Sequence, residues 1–274
     1  MHHRVENYPG FPGGITGAEL MTRWLKQVID EIGHMPMPEE VTAADLLDEI
    51  KVVSTLTEAY KTRSVIVATG SKPRRLLIPG EQEFENKGVF YCAHCDAPLL
   101  RTMASRHAAV IGGGDTALHT GFALLPHAES VTIITRGSDL RATPALVERF
   151  TRESTTKIIL QRAVMAVVGE KKAFGLVLVN TVSREKETFP VDAVFVGIGQ
   201  SPVTAFLGNE LALNEDGFIV TDRLLRTSQP GVFAAGDVRD TPLRQIITAA
   251  ADGAIAANSA AEYLRSSSSR QAAS

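Results

Sequence analysis

Hydrophobic positions recur at helical spacing between residues 16 and 33, and they form the best-defined pattern of the chain. Thr16 stands three residues before Glu19, which is the arrangement of a capping box, and Gly33 is placed to end the helix. One apolar stripe runs along this segment and consists of Leu20, Met21, Trp24, Leu25, Val28, Ile29 and Ile32. The pattern therefore predicts an amphipathic helix over residues 16–33.

Strand and helix patterns alternate through the middle of the chain. Residues 63–70 read as a buried strand that ends in a turn. Residues 106–111, 115–125 and 130–135 read as strand, helix and strand, which is one βαβ unit. We expect a helix at 144–151 and short strands near 157–160, 163–168, 173–180 and 191–196.

The last part of the chain changes character again. A strand-like run leads to Gly236 and Asp237, and a long helix is predicted from about Pro242 to Leu264. Thr241 can cap this helix and Pro242 suits its first position. Residues 266–274 are polar, and we expect a disordered tail. The pattern as a whole predicts an α/β protein in which a nucleotide-binding domain is inserted into a second α/β domain, whose pieces lie on either side of it.

Composition narrows the class of protein. The chain has 274 residues, of which 44% are hydrophobic and 22% charged, as in soluble proteins with one large domain or two ordinary ones. A net charge of −3 and the lack of a basic run give no reason to expect nucleic acid. No apolar run reaches the ~18 residues of a membrane span. Without an apolar leader at its start, the chain is predicted to be cytoplasmic.

A glycine-rich turn follows the strand at 106–111 and predicts a dinucleotide site. Gly112 permits the tight turn, Gly114 lets the backbone approach a phosphate, and Ala117 lets the helix pack closely on the strand. Asp115 and Thr116 complete the helix start, whose N–H groups face the pyrophosphate. Such a motif alone is weak, but here strand, turn, helix and second strand follow in the required order.

The end of the second strand bears on the choice of cofactor. An NAD site usually places an acidic residue there, whereas this chain has Arg136, with Arg141 five residues later. Two guanidinium groups suit the 2′-phosphate of NADP, because they form charge-assisted and often bidentate hydrogen bonds. The alternative is that both arginines are solvated surface residues.

Cys92 and Cys95 are the only cysteines of the chain, and Asp96 follows them. A pair at this spacing can close a redox disulfide, and its reactive member works as a thiolate. Asp96 is placed to move a proton to or from a thiolate, although it could instead cap the following turn. Half of a zinc site is the other reading of the cysteines, but no second pair is present, so no metal is predicted.

A dithiol does not take a hydride from a nicotinamide efficiently by itself, so a mediator is needed, and flavin is the usual one. Gly236 and Asp237 follow a buried strand and offer a carboxylate to a sugar-like hydroxyl. The positive end of the next helix would stabilise negative charge on a reduced flavin. These features favour FAD as a second cofactor.

The chain as a whole resembles the low-molecular-weight thioredoxin reductases and the related flavoprotein subunit of alkyl hydroperoxide reductase. The matching text is Val5-Glu-Asn-Tyr-Pro-Gly-Phe-Pro12, Val67-Ala-Thr-Gly70, Ile78-Pro-Gly-Glu81, Cys92-Ala-His-Cys-Asp96, Gly112-Gly-Gly-Asp-Thr-Ala117 and Val232-Phe-Ala-Ala-Gly-Asp-Val238. The resemblance implies two Rossmann-like domains, with the NADP domain inserted into the FAD domain. Their implied bounds are residues 1–75 and 199–265 for FAD and 76–198 for NADP.

The resemblance also implies roles for individual residues. Cys95 would lie against the flavin, Cys92 would attack the partner disulfide, and Asp96 would be the acid or base. The residues implied to contact FAD are Asn7, Thr69, Gly70, Gly236, Asp237, Gln245 and Ile246. The implied partner is thioredoxin or a similar dithiol protein, and the implied assembly is a homodimer. Two positions depart from the family, which usually has arginine where Gly137 stands and glycine where Ala97 stands.

The family opens with a strand, a Gly-x-Gly-x-x-Gly turn and a helix that bind the ADP half of FAD. Only six residues precede Asn7, so the FAD domain is expected to be N-terminally truncated. We interpret the sequence as part of a longer protein, the alternative being a natural form whose flavin half comes from another chain. The predicted function is an NADPH-dependent disulfide reductase. The rivals are a peroxiredoxin or small-dithiol reductase on this scaffold and an inactive, flavin-free NADP-binding protein.

Overall fold

The computed structural model of the protein describes residues 4–5, 7–33, 38–103 and 105–271. Its strands are β1 (Arg4–Val5), β2 (Ile15–Thr16), β3 (Val41–Asp45), β4 (Lys51–Thr55), β5 (Ala59–Thr62), β6 (Val65–Val67), β7 (Ser71–Pro73), β8 (Val89–Phe90), β9 (His107–Ile111), β10 (Ser130–Ile134), β11 (Thr156–Ile159), β12 (Arg162–Gly169), β13 (Ala173–Asn180), β14 (Lys186–Pro190), β15 (Ala193–Val196), β16 (Gln200–Pro202) and β17 (Val232–Ala234). Its α-helices are α1 (Gly17–Ile32), α2 (Ala93–Asp96), α3 (Asp115–Leu124), α4 (Pro144–Thr151) and α5 (Ile246–Gln271), and 3₁₀ turns lie at Ala97–Thr102, Ala205–Leu207 and Gly236–Val238.

The chain divides into two compact units. Residues 73–199, together with 1–4, form the first, which is named the central unit here. Residues 5–72 and 200–274 form the second, named the flanking unit. The assignment of these segments to NADP and FAD stays a prediction.

A five-stranded parallel sheet forms the middle of the central unit, with the strand order β11-β10-β9-β15-β8. Helix α3 connects β9 to β10, so the predicted βαβ unit is present. Ile111 at the end of β9 is level with Ile134 of β10 and with Val196 of β15. The carboxyl ends of three strands therefore lie at one edge of the sheet, where parallel sheets bind ligands.

Two apolar clusters cover the faces of this sheet. On one face α2, α3 and α4 pack against it, with Leu118, Phe150 and Phe195 fully buried. On the other face lies the antiparallel sheet β12-β13-β14, whose Leu176 and Leu178 are fully buried. Because both faces are covered, the strands between them read as almost continuous apolar runs.

The flanking unit contains an antiparallel meander, β3-β4-β5, and a parallel pair of strands, β6 and β17. Leu46, Val67 and Val232 are buried in one cluster of this unit. Phe233 and Ala256 belong to a second cluster, which places α5 against β17. Val67 is level with Ala234, so β6 and β17 end at the same edge.

The caps predicted for the first helix are present in α1. The Thr16 side chain accepts a hydrogen bond from the Glu19 amide, and Gly33 ends the helix with φ 75°. The stripe is less buried than its periodicity suggests: Leu20 is buried, whereas Met21 and Ile32 are 59% and 49% exposed.

The predicted bounds of the last helix are wrong. Helix α5 begins at Ile246 instead of Pro242. At its start the Thr248 hydroxyl accepts from the Gln245 N–H over 3.1 Å and can donate to the carbonyl of Leu243 or of Gln245. The helix continues to Gln271, past the predicted end at Leu264 and into the segment 266–274 for which a tail was predicted. Residues 272–274 lie outside the described part of the chain.

Candidate active site

The two cysteines form a disulfide at the start of α2, and their Cα atoms are 5.3 Å apart. Cys92 is the N-cap of this helix, and the backbone N–H of Cys95 donates to Cys92 Sγ over 3.3 Å. An N–H pointed at sulfur stabilises negative charge there, which favours Cys92 as the thiolate that reacts with a partner. Cys95 is exposed and Cys92 is half-buried.

Asp96 is buried, at 7% exposure, and its backbone N–H donates to the Cys92 carbonyl over 2.9 Å. Its side chain makes no capping hydrogen bond to the following 3₁₀ turn, which weakens the reading of Asp96 as an ordinary cap. Ala97 has φ −54°, an ordinary helical conformation, so alanine is accommodated where the family usually has glycine.

The glycine turn lies at the carboxyl end of β9. Gly112 has φ 154°, and a Cβ there would overlap the Gly197 carbonyl and lie 2.9 Å from Ala117 Cβ. Ala117 is fully buried beneath the turn, which is the close helix–strand packing that the sequence predicted. Gly114 differs from Gly112, because a Cβ at this position would meet nothing within 4 Å.

The loop that carries both arginines is fastened to this turn. Arg141 N–H donates to the Gly113 carbonyl over 2.6 Å. The Asp115 carboxylate accepts from the Thr143 N–H over 2.6 Å and from the Thr143 hydroxyl over 3.0 Å. These hydrogen bonds hold the pKa of Asp115 below its ordinary value, with the backbone N–H of Thr143 as the larger cause. Arg136 and Arg141 are themselves exposed.

A second group of predicted residues meets within the flanking unit, at the shared edge of β6 and β17. The Asn7 amide donates to Gln245 Oε1 over 2.8 Å, and the Thr69 hydroxyl donates to the Val203 carbonyl over 2.7 Å. Asp237 follows β17, and burial raises its pKa, although Arg244 opposes the shift. The structure therefore brings together Asn7 and Gln245, which are 238 positions apart in sequence.

The sequence profile of the pyridine nucleotide-disulphide oxidoreductases matches residues 16–253. The thioredoxin reductase of Treponema pallidum is 41% identical over 260 residues, which cover 95% of this chain and 83% of that protein. The chain belongs to the low-molecular-weight thioredoxin reductase family. The enzyme of Listeria monocytogenes is 39% identical, with 95% of this chain and 80% of that protein covered. Among solved structures, thioredoxin reductase from Streptococcus pyogenes matches with a TM-score of 0.82 at 33% identity, over 97% of this chain and 85% of that chain.

These matches confirm the resemblance seen in the sequence and the predicted fold class of two Rossmann-like domains. FAD and NADP, the predicted cofactors, are those that thioredoxin reductases use. The roles of the individual residues stay predictions.

The central unit fits a dinucleotide phosphate. Helix α3 begins at Asp115 without a side-chain cap, so its first N–H groups remain for a ligand. Gly114 is the N-cap of α3, and a Cβ there would meet nothing within 4 Å, so a phosphate has room to approach the backbone at this position. Asp115 is engaged with Thr143, so it would contribute its backbone rather than its carboxylate.

The flanking unit has features that fit a flavin nucleotide. A Cβ on Gly70 would meet nothing within 4 Å, which leaves room beside the ends of β6 and β17. Arg244 Nε is buried, without a hydrogen-bond partner, next to Gln245. Ile246 is the first residue of α5, whose N-terminal end carries partial positive charge. Asp237, half-buried after the Gly236 turn, offers a carboxylate for a ribityl hydroxyl.

In the described ranges, no three His, Cys, Asp or Glu side chains are grouped as metal ligands. None of the helices described is long and apolar enough to cross a membrane.

Sequence reasoning missed several residues that support the site. Thr143 fastens the arginine loop, and Arg239 pairs with Asp252, whose carboxylate also accepts from the Gly236 N–H over 3.0 Å. Glu81 is a buried acid that hydrogen-bonds Tyr91, directly before the dithiol. Only Glu81 gave a sequence signal, since it is an acidic residue that ends the apolar run Leu76-Leu-Ile-Pro-Gly80.

Asp115→Asn should change how stability responds to acid. A carboxyl whose pKa is lowered in the folded state stabilises the fold above its unfolded pKa of about 3.9, and this contribution is lost as the pH falls through the folded value. Wild type should therefore have the higher Tm at neutral pH, and the difference from the variant should shrink below about pH 4. Thermal unfolding at a series of pH values measures this. Thr143→Val, which keeps the backbone N–H, should have the smaller effect, and a Tm difference independent of pH would contradict the assignment.

Proposed function

We propose that the protein is an NADPH-dependent, FAD-linked reductase of thioredoxin disulfide. One observation carries the proposal: the Cys92–Cys95 disulfide begins a helix that packs on α3, the helix whose N-terminus forms the dinucleotide turn. The redox pair and the turn proposed to bind the dinucleotide thus belong to one folded unit. In this proposal Arg136 and Arg141 hold the 2′-phosphate, and the protein acts in the cytoplasm as a homodimer, as its family commonly does.

Bound FAD supplies the two-electron chemistry, since a flavin accepts a hydride from a nicotinamide and reduces a disulfide. The residues of this chain arrange the cofactors around that chemistry. The Gly112–Ala117 turn binds the pyrophosphate of NADPH, and the α3 N-terminus offsets its charge. Asn7, Thr69, Asp237 and Gln245 would hold the flavin, and the positive N-terminal end of α5 would stabilise negative charge on it.

The dithiol carries the electrons to the partner. Once the Cys92–Cys95 bond is reduced, the Cys92 thiolate attacks one sulfur of the partner disulfide, and the other partner sulfur leaves as a thiolate. Cys95 then attacks Cys92, which restores the disulfide and releases the second partner thiolate. Asp96 transfers a proton to a leaving sulfur. Each cycle consumes one NADPH and one proton and yields two partner thiols.

The test is NADPH oxidation by the FAD-loaded protein with three acceptors: thioredoxin disulfide, an oxidised peroxiredoxin and a low-molecular-weight disulfide. We expect thioredoxin to give the highest kcat/KM. The Cys92→Ser/Cys95→Ser variant is the control for electrons that leak directly to oxygen. A higher kcat/KM with either other acceptor would overturn the assigned substrate, and no oxidation above the control with any acceptor would overturn the reductase itself.

A further inference from the structure

Glu81 is a buried carboxylate outside the predicted site, at 3% exposure. Its Oε1 accepts from the Leu76 N–H over 2.8 Å and from the Tyr91 hydroxyl over 2.9 Å. Its Oε2 accepts from the Leu77 N–H over 2.7 Å. Three donors satisfy the hydrogen-bonding capacity of this buried carboxylate. Removal of one donor costs free energy, because a buried oxygen then lacks that partner.

The segment around Glu81 is held in an unusual conformation. Leu77 has φ 57°, a region that leucine rarely adopts, and the hydrogen bond to Glu81 helps to keep it there. The Val167 N–H of β12 donates to the Pro79 carbonyl over 2.9 Å, which ties the same segment to the antiparallel sheet. The Glu81 side chain is therefore held in one position within the central unit.

Tyr91 is held from two sides. Glu81 accepts a hydrogen bond from its hydroxyl, while the Arg75 guanidinium lies 5.2 Å from the ring centre and donates to the same hydroxyl oxygen over 3.3 Å. Arg75 is oriented in turn by two hydrogen bonds to Glu85, of 3.0 Å and 2.9 Å. Burial, and then the hydrogen bond to Glu81, raises the pKa of Tyr91, so the phenol remains a donor.

Tyr91 directly precedes Cys92 and follows Val89 and Phe90, which are buried in the core of the central unit. Strand β8 is an edge strand of two residues, Val89 and Phe90, paired on one side with β15. The chain then turns into α2, which begins with the Cys92 cap. The side chain of Tyr91 thus supplies an anchor where the sheet ends and the dithiol begins.

We propose that Glu81 and Tyr91 are positioning residues for the dithiol, and that their hydrogen bond fixes the backbone of Cys92 for attack on the partner disulfide. Neither side chain needs to touch substrate or cofactor for this. The inference rests on the proposed disulfide reductase activity. It assigns to Glu81 and Tyr91 an effect on one step only, the transfer of electrons from the dithiol to the partner disulfide.

The decisive variant is Tyr91→Phe, which removes the hydroxyl and keeps the ring beneath Arg75. We expect kcat/KM for thioredoxin disulfide to fall about tenfold, the cost of one hydrogen bond to a charged group. NADPH-dependent reduction of ferricyanide, which takes electrons from the flavin without the cysteines, should change by less than about twofold. A single turnover of the dithiothreitol-reduced protein with thioredoxin disulfide, without NADPH or FAD, should slow by the same factor as kcat/KM.

Tyr60→Phe is the matched control, since Tyr60 donates to the Glu39 carboxylate over 3.4 Å within the flanking unit, and both rates should stay at the wild-type level. Glu81→Gln should slow the disulfide step as well, and the double variant Glu81→Gln/Tyr91→Phe should be no slower than Glu81→Gln alone. If Tyr91→Phe has a lower Tm but an unchanged ratio of thioredoxin reduction to ferricyanide reduction, the inference is overturned. It is also overturned if the rate of the double variant falls by the product of the two single-variant factors. If wild type fails in the single turnover, the proposed function fails; if wild type succeeds and Tyr91→Phe matches it, only the inference fails.

Discussion

Cys95→Ser is expected to lower the steady-state reduction of partner disulfide by at least about 1000-fold, because a step without its reactive group retains little catalysis. The Cys92 thiolate of this variant can still attack the partner, but no second thiol remains to release it. The reduced variant should therefore accumulate a covalent Cys92–partner disulfide. Non-reducing gel electrophoresis detects this adduct, and its formation needs neither NADPH nor FAD.

Cys92→Ser is the matched variant, since the chain has no other cysteines. It should lose turnover to the same extent but form no adduct, if Cys95 faces the flavin as proposed. The contact that predicts this difference is the Cys95 N–H, which stabilises charge on Cys92 Sγ. Capture of the partner by Cys92→Ser in place of Cys95→Ser would reverse the assigned order of the two thiols.

Local patterns predicted the elements that depend on neighbouring residues. The caps of α1, the bounds of α4 and the βαβ unit around Gly112 follow from side chains within a few positions of one another. The start of α5 was missed although Thr241 and Pro242 suit a helix start. The Thr248 hydroxyl hydrogen-bonds the backbone at the observed start, and the choice between local hydrogen bonds of this kind cannot be weighed from sequence alone.

Contacts between residues far apart in the sequence could not be predicted from the sequence. Asp115 was predicted to lie at the dinucleotide turn, but not that its carboxylate would hold Thr143, 28 positions away. Strand β14 was missed as well, because Lys186-Glu-Thr-Phe-Pro190 alternates weakly and acquires its strand form by pairing with β13. The periodicity of the apolar stripe predicted helix α1 correctly. The partial exposure of the stripe could not be predicted, because it depends on which residues pack against the helix.

The two glycines of the dinucleotide turn should respond to the same added methyl group to very different extents. Gly112→Ala forces a Cβ into the Gly197 carbonyl at φ 154°, so the free energy of unfolding should fall by about 3 kcal/mol from overlap and backbone strain together. Gly114→Ala adds its methyl to open space at φ −104°, and stability should fall by less than about 1 kcal/mol, the cost of alanine at a helix N-cap. Urea denaturation measures both changes.

The Gly114→Ala substitution should also weaken the binding of NADPH. The methyl group of Gly114→Ala occupies the space that a phosphate needs to reach the α3 N-terminus, so its Kd for NADPH should rise about tenfold, which corresponds to about 1.4 kcal/mol. Gly253→Ala is the control, because that glycine lies within α5 and its Cβ would also meet nothing within 4 Å. Quenching or enhancement of NADPH fluorescence gives the Kd. Normal NADPH affinity of a folded Gly114→Ala variant would mean that the phosphate does not approach the backbone at this turn, and the dinucleotide site would have to lie elsewhere in the central unit.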